Sequence, residues 1–368
     1  MDLEPNEEQR ALAESVRRLL NREHDVATRR ALQEDALGWS EKVWRALADM
    51  GVLGLGIAEE HGGSGGGAAE IAVVAQELGR ALAPEPWLDA VVAPGLLLGS
   101  AAASSPTCAR MLADVASGEI LVSSVVDRDG ALRMTAVAAT ERVSLGGFLE
   151  DVANAHRAEA ILMVDLSRRV VLLIETDQPG VQVEVFSTRD GRRGGDVVLR
   201  DADARVVAEG SEIISAIERG QATVAVARCA RAVGAMQGAV SITADYLDTR
   251  HQFGRPLRDF QALTHRLADL HVETVLAESL VMYAAGCLAS GVGDGTEAER
   301  ALATTSRAAR YVGEAIVQMH GGIAVTDEHA AGQYFRALTA YSIDGGTMVN
   351  WLLALASTSD GATVRTIL

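Results

Sequence analysis

Lysine is almost missing from this chain: Lys42 is the only one in 368 residues, so arginine carries nearly all the positive charge. Schiff-base chemistry and a phosphate loop ending in Gly-Lys-Ser/Thr both lose their usual residue. Cysteine is also scarce. Cys108, Cys229 and Cys287 are far apart, odd in number and outside any CxxC or Cys/His cluster. That argues against a disulfide framework or a structural zinc site and leaves three small buried residues. No stretch offers roughly 18 uninterrupted apolar residues, and the acidic start MDLEPNEEQR lacks the basic and then apolar regions of a secretory signal, so a cytoplasmic protein is expected. Basic residues are outnumbered, 33 against 50 acidic ones, for a net charge of −17. Repulsion disfavours nucleic acid and anionic membrane surfaces, which leaves small molecules or other proteins as partners.

What is present divides the chain by its hydrophobic period. After Asn6, the residues Leu12, Val16, Leu19 and Leu20 recur at helical spacing, and Asn6 with Gln9 matches a variant capping box. A second helix is predicted from an N-cap at Ser40, with Val43, Leu47 and Met50 on one side and Gly51 at its end; a third covers Ala68–Leu82. Residues 1–118 read as an N-terminal helical domain. Over 119–209 the runs Ile120–Val126, Ala131–Ala139, Ala160–Val164, Val170–Ile174 and Val181–Val185 predict a small β-sheet or barrel domain, and the strict alternation of the last marks a half-exposed strand. Helical periodicity returns over 210–368, where Val226, Val233 and Val240, then Phe260, Leu263, Leu267 and Leu270, trace faces of long helices in a four-helix bundle. The fold class expected is mainly α with a middle β domain.

Five motifs punctuate this order: Glu59-Glu60-His61-Gly62-Gly63, Arg250-His251-Gln252-Phe253-Gly254, Phe260-Gln261, Gln318 to Gly322, and Gly345-Gly346-Thr347. Singly, each has an ordinary explanation; Arg250 is a helix-end cation and Gly321-Gly322 a helix C-cap and turn. As a spaced set within an α, β, α order, the chain resembles the acyl-CoA dehydrogenase family over essentially its whole length. The resemblance implies an FAD between the β domain and the C-terminal helices, with its adenosine diphosphate end reaching a neighbouring subunit. Positions matching those that reach into the neighbour are Arg250, Gln252, Phe253, Phe260, Gln261, Gln318, Gly321 and Gly322, and Thr347 joins them as a cofactor-binding position. Arg250 can neutralise pyrophosphate, the glycines let backbone amides approach oxygen atoms, and Phe253 can pack under an apolar part of the cofactor.

The same resemblance exposes missing parts. Members of the family oxidise an acyl-CoA thioester by passing the α proton to a carboxylate and the β hydrogen, as hydride, to flavin. In most, that glutamate directly precedes a Gly-Thr pair, where this chain has Gly345; in others it lies ten residues before a glycine matching Gly234, where this chain has Val224. Neither residue takes a proton. Asp344, one position early, is a shorter substitute pointing elsewhere, and a helix N-cap is its ordinary role. A Thr-Glu-Pro-x-x-Gly-Ser-Asp-like run is absent between Glu119 and Ala160, as is a Trp-x-Thr contact around Asp151–His156. Features that serve a flavin ring within the same subunit are lost, while those that reach into a neighbour are kept.

The expected function is that of a subunit lacking its own catalytic base in an α2β2 acyl-CoA dehydrogenase. Its partners would be a catalytic subunit, an acyl-CoA substrate of a bulky class that includes steroid side-chain intermediates, and an electron-transfer acceptor. Alternatives are a homomeric dehydrogenase using Asp344, a flavin-dependent monooxygenase relative, and a flavin-free scaffold. The glycine run Gly62–Gly67 reads as a flexible surface loop without chemistry, and His265, Asp269 and His271 as surface or packing residues rather than metal ligands.

Overall fold

The computed structural model describes residues 4–127, 130, 132–136, 141–292, 296–326 and 329–343. Six helices come first: α1 (Glu7–Glu23), α2 (Val26–Glu34), α3 (Glu41–Asp49), α4 (Ala68–Arg80), α5 (Ala93–Ala101) and α6 (Pro106–Ser117). Seven strands follow: β1 (Val122–Asp127), β2 (Arg133–Ala136), β3 (Arg142–Ala153), β4 (Ala160–Asp165), β5 (Val170–Glu175), β6 (Val181–Ser187) and β7 (Arg193–Glu209). The last part holds α7 (Ser211–Thr249), a hairpin of β8 (His251–Gln252) and β9 (Arg255–Pro256), α8 (Gln261–Ser290), α9 (Glu297–His320) and α10 (Ala330–Ile343). The chain is thus mainly helical with a middle β domain. It forms two compact units: Met1–Glu34 with Ala68–Ala83 and Ala225–Leu368, and Asp35–Gly67 with Pro84–Val224.

In the first, mainly helical unit, the capping box forms as its residues predict. Asn6 Oδ1 accepts from the Gln9 amide at 2.8 Å and Gln9 Oε1 from the Asn6 amide at 2.9 Å, satisfying two amides that a helix start leaves unpaired. Val16, Leu19 and Leu20 are the buried face of α1. Buried Arg29 donates to Gln333 Oε1 and to the carbonyls of His24 and Ala81, which compensates the loss of hydration at its charge. Buried Glu77 takes a two-pronged bond from Arg17 at 2.8 and 2.7 Å.

The position of α7 in this unit is set by two glycines. A Cβ on Gly79 would stand 1.8 Å from the Arg231 carbonyl oxygen, and one on Gly234 would stand 1.8 Å from that of Gln76. The backbones of α4 and α7 are therefore in direct contact, a separation closed to any residue with a side chain. Gln76 Nε2 donates to Gln237 Oε1 at 2.9 Å beside this crossing. One described helix, α8, is long and apolar enough by length and composition to cross a membrane, and 33% of its apolar window is buried within this chain. Val272, Val275, Leu276 and Tyr283 form an exposed apolar stripe along it.

In the other unit, the Ser40 hydroxyl caps α3 through the Val43 amide at 3.3 Å, Val43 and Leu47 are buried with Trp44, and Gly51 (φ 73°) ends the run. The strands make one sheet of order β1-β4-β5-β7-β3-β2 with β6 paired to β7, antiparallel except for β1 and β4. Its core includes Leu145, Ile161, Met163, Leu172, Ile174, Val197 and Leu199. Five of these strands overlap the predicted runs; β2 is confined to Arg133–Ala136 within the predicted Ala131–Ala139, part of which lies outside the described residues.

Two strands, β3 and β7, carry no strong β signal in sequence. In β7 the inward positions Ala202 and Ala204 are buried alanines, while Asp201 and Asp203 turn outward to pair with Arg133 and Arg142. The alternation slips by one at Arg200–Asp201, where the pairing with β3 shifts register, and beyond the slip it is carried by alanine and aspartate, residues depleted in strands. The glycine run is not a free loop. Gly65 bonds Gly56 and Ile57 through its carbonyl and amide, at 2.9 Å each, and a Cβ at Gly63 would lie 2.1 Å from the Ile57 carbonyl oxygen. Its glycines serve close backbone packing.

Replacing Gly79 or Gly234 by Ala forces α4 and α7 apart and is expected to destabilise the protein by about 1–3 kcal/mol or more in urea unfolding. Exposed Gly99 in α5 has nothing within 4 Å of the place an added methyl would take, so Gly99→Ala should stabilise by about 0.5–1 kcal/mol. Equal effects at the three sites would contradict the close crossing.

Candidate functional site

The described candidate cofactor-binding positions, all but Thr347, lie at the ends of α7 and α9 and at the start of α8, within the first unit. Arg250 follows the last residue of α7, its amide bonded to the Tyr246 carbonyl at 2.9 Å and its carbonyl accepting from the Leu257 amide at 2.8 Å. Between β8 and β9, Phe253 (φ 54°) and Gly254 (φ 82°) are both left-handed, as a two-residue hairpin turn requires. Glycine takes that geometry freely. A phenylalanine held there stores on the order of 1–3 kcal/mol, a strain that marks functional positions. Its ring is 89% exposed, an apolar group offered to something outside this chain.

Phe260 is the N-cap residue of α8, and Gln261 opens that helix. The Phe253 and Phe260 rings meet edge-on at 6.1 Å, and the Arg255 guanidinium sits 4.1 Å above the Phe260 ring centroid. The first amides of α8, together with Arg250, make this corner favourable for an anion. The side chains of Arg250, Gln252, Gln261 and Gln318 make no hydrogen bond or ion pair with the described residues, and all four are exposed.

At the other end, α9 stops at His320, and Gly321 adopts φ 66° with ψ −146°, a conformation essentially reserved for glycine. A Cβ on Gly254, Gly321 or Gly322 would meet nothing within 4 Å. These glycines leave open space beside the backbone.

One residue the sequence reading missed joins the two ends. The Tyr246 ring stacks on His320 with centroids 4.5 Å apart, and its hydroxyl donates to the His320 carbonyl at 3.3 Å. His320 Nδ1 bonds the Ile316 carbonyl at 2.8 Å, so that nitrogen carries the proton, and buried Nε2 has no partner among the described residues. His329 lies 4.9 Å from His320 and accepts from the Ala331 amide at the start of α10. The available signal was that Tyr246 sits one helical turn before Arg250 and His320 directly before the glycine pair.

A family model for the acyl-CoA dehydrogenase N-terminal domain matches residues 6–119, and one for the C-terminal domain matches residues 217–350. The chain is 32% identical over 337 residues to acyl-CoA dehydrogenase IpdE2 of Mycobacterium tuberculosis, covering 90% of this chain and 91% of that protein. The chain belongs to the acyl-CoA dehydrogenase family. Acyl-CoA dehydrogenase FadE27 of the same organism is 28% identical over 84% of this chain and 86% of its own. Among solved structures, the ChsE4-ChsE5 complex from Mycobacterium tuberculosis superposes with TM-score 0.89 at 25% identity, covering 99% of this chain and 100% of the matched one. The Tcur3481-Tcur3483 steroid ACAD superposes with TM-score 0.86 at 25% identity, over 97% and 99%.

For a member of this oxidoreductase family, the donor set fits the diphosphate and adenosine part of FAD. An arginine without a partner among the described residues, two bare glycines and an exposed aromatic ring supply charge, close backbone approach and an apolar face. The base positions offer nothing comparable: Val224 is a buried apolar side chain in α7. Asp344, Gly345 and Thr347 lie outside the described residues, and among those described no three His, Cys, Asp or Glu residues are grouped to share a metal ion.

Burial, with a smaller contribution from His329, pushes His320 below the ordinary histidine range, and burial does the same to His329. The unfolded chain then takes up protons at a pH where the folded chain does not. Stability is full above the ordinary histidine value of about 6.5 and is lost as pH falls below it. The thermal midpoint should therefore fall between pH 7 and 5.5 by more in the unaltered protein than in His320→Gln; parallel curves would contradict the buried neutral imidazole.

Proposed function

We propose that this chain is the non-catalytic subunit of an α2β2 acyl-CoA dehydrogenase and closes over the adenosine diphosphate end of an FAD whose flavin ring lies in a partner subunit. The observation that carries this reading is the outward-facing set of Arg250, Phe253, Gln318 and Gly321-Gly322, with the Arg250 and Gln318 side chains unpaired among the described residues, in a chain with Gly345 and Val224 at both base positions. Arg250 neutralises diphosphate charge, Phe253 and Phe260 shield an apolar face from water, and Gln252, Gln261, Gln318 and Thr347 orient the nucleotide. The bound flavin would accept the substrate's β hydrogen as hydride before electrons pass to an acceptor protein. The partner's carboxylate takes the α proton.

The apolar stripe of α8 supports a partnered state, since contiguous exposed apolar surface marks contact sites. Two similar structures at 25% identity, the ChsE4-ChsE5 complex and the Tcur3481-Tcur3483 steroid ACAD, are named by paired chains, which supports a heteromer. The latter also supports a bulky steroid-type acyl-CoA as substrate.

Co-expression with a catalytic acyl-CoA dehydrogenase subunit from the same genome should give a co-purifying complex with one flavin absorbance equivalent per two chains. Arg250→Ala should weaken FAD retention by that complex on the order of ten- to a hundredfold, the effect of losing a charge-assisted contact of about 1.5–3 kcal/mol. The pure chain binding a full flavin and oxidising acyl-CoA alone would overturn the reading in favour of Asp344 as base; a complex without flavin would leave a scaffold.

A further inference from the structure

We propose that Tyr246 is a positioning residue of the nucleotide site: it ties the Arg250 hairpin to the Gly321-Gly322 turn so that both meet one diphosphate in fixed register. This rests on the reading that the chain holds the nucleotide end of FAD. The two segments come from different helices and are separated by about seventy residues of sequence, and a diphosphate needs its cation and its backbone amides at set positions together. Nothing in either segment alone sets that spacing.

Tyr246 acts on both. Its backbone carbonyl accepts the Arg250 amide at 2.9 Å, which fixes how the chain leaves α7. Its hydroxyl donates at 3.3 Å to the His320 carbonyl, and the other end of that peptide, the Gly321 amide, bonds the Val317 carbonyl. The peptide before the glycine pair is thus held on both sides, and the turn at Gly321 starts from a fixed plane. The ring adds a second tie by stacking on His320 at 4.5 Å, while His320 is itself anchored through Nδ1 to Ile316. A third contact, edge-on at 6.0 Å, reaches His329 at the head of α10, the helix that precedes Gly345 and Thr347 in sequence. Tyr246 therefore contacts both described segments that carry candidate nucleotide-binding positions, and it is only half-buried.

The test uses the co-purified complex and two variants, Tyr246→Phe, which keeps the ring, and Tyr246→Leu, which removes both ties. FAD affinity by equilibrium dialysis, the phosphorus NMR shifts of the bound diphosphate and the thermal midpoint of the flavin-free complex are read for each. Tyr246→Leu should weaken FAD by about tenfold or more and shift the phosphorus resonances, with Tyr246→Phe recovering most of the affinity. Because Tyr246 acts through Arg250 and the glycine turn, adding Tyr246→Leu to Arg250→Ala should cost less than it does alone. If Arg250→Ala weakens FAD while Tyr246→Leu leaves affinity and phosphorus shifts unchanged, the positioning role falls and the cofactor reading stands. If Arg250→Ala changes nothing, the cofactor reading itself falls. Should Tyr246→Leu fail to assemble, Tyr246→Met, which likewise lacks the ring and the hydroxyl, decides: unaltered phosphorus shifts and affinity would overturn the proposal.

Discussion

The backbone contact between α4 and α7 at Gly79 and Gly234 is the constraint from which the rest of the helical unit follows. Where two helices touch main chain to main chain, neither can slide or rotate without a clash, so the far end of a long helix is delivered to a defined place. That far end of α7 carries Tyr246 and the Arg250 hairpin. The site's geometry is inherited from a crossing that contains no site residue. Side-chain bonds beside it, such as Gln76 to Gln237, add direction to what the glycines fix by distance.

The surface this scaffold presents is unusual for so acidic a chain. Many of its arginines pair with carboxylates of their own chain, Arg17 with Glu77 and Arg307 with Glu273 among them. Arg250 has no such partner among the described residues, and its carbonyl accepts from the Leu257 amide just before α8. A strained, exposed Phe253 completes the picture of a surface shaped for a molecule that the chain does not enclose alone. In the proposed heteromer, the lack of a base and the outward reach would be two sides of one division of labour between subunits. On that reading, one carboxylate near the thioester would serve each active site, whereas the long nucleotide would take walls from both chains.

Much of this was readable from residues in order. The capping box at Asn6 and Gln9, the Ser40 cap with its Gly51 stop, and five of the seven strands of the large sheet follow from hydrogen-bonding side chains and hydrophobic periods that act within a turn or along one strand. The candidate cofactor positions stand out in the sequence as a spaced set. Strands β3 and β7 were not, because their inward residues include alanine and glycine, which fill space beside neighbouring strands without advertising a strand. The glycine run at Gly62–Gly67 looked like a free loop, yet its lack of side chains answers to Ile57 lying close by.

By itself, the sequence determined the order of helical, β and helical parts, and it put valine at 224 and glycine at 345, neither of which can take a proton. Only the tertiary structure decided that Tyr246 and His320 meet, that Phe253 stands left-handed in the open, and that Gly234 is needed for contact with α4. The physical reason is range: caps and periods are satisfied among near neighbours, whereas the Tyr246 to His320 bond closes a loop of 74 residues. Its existence depends on how every helix between them packs.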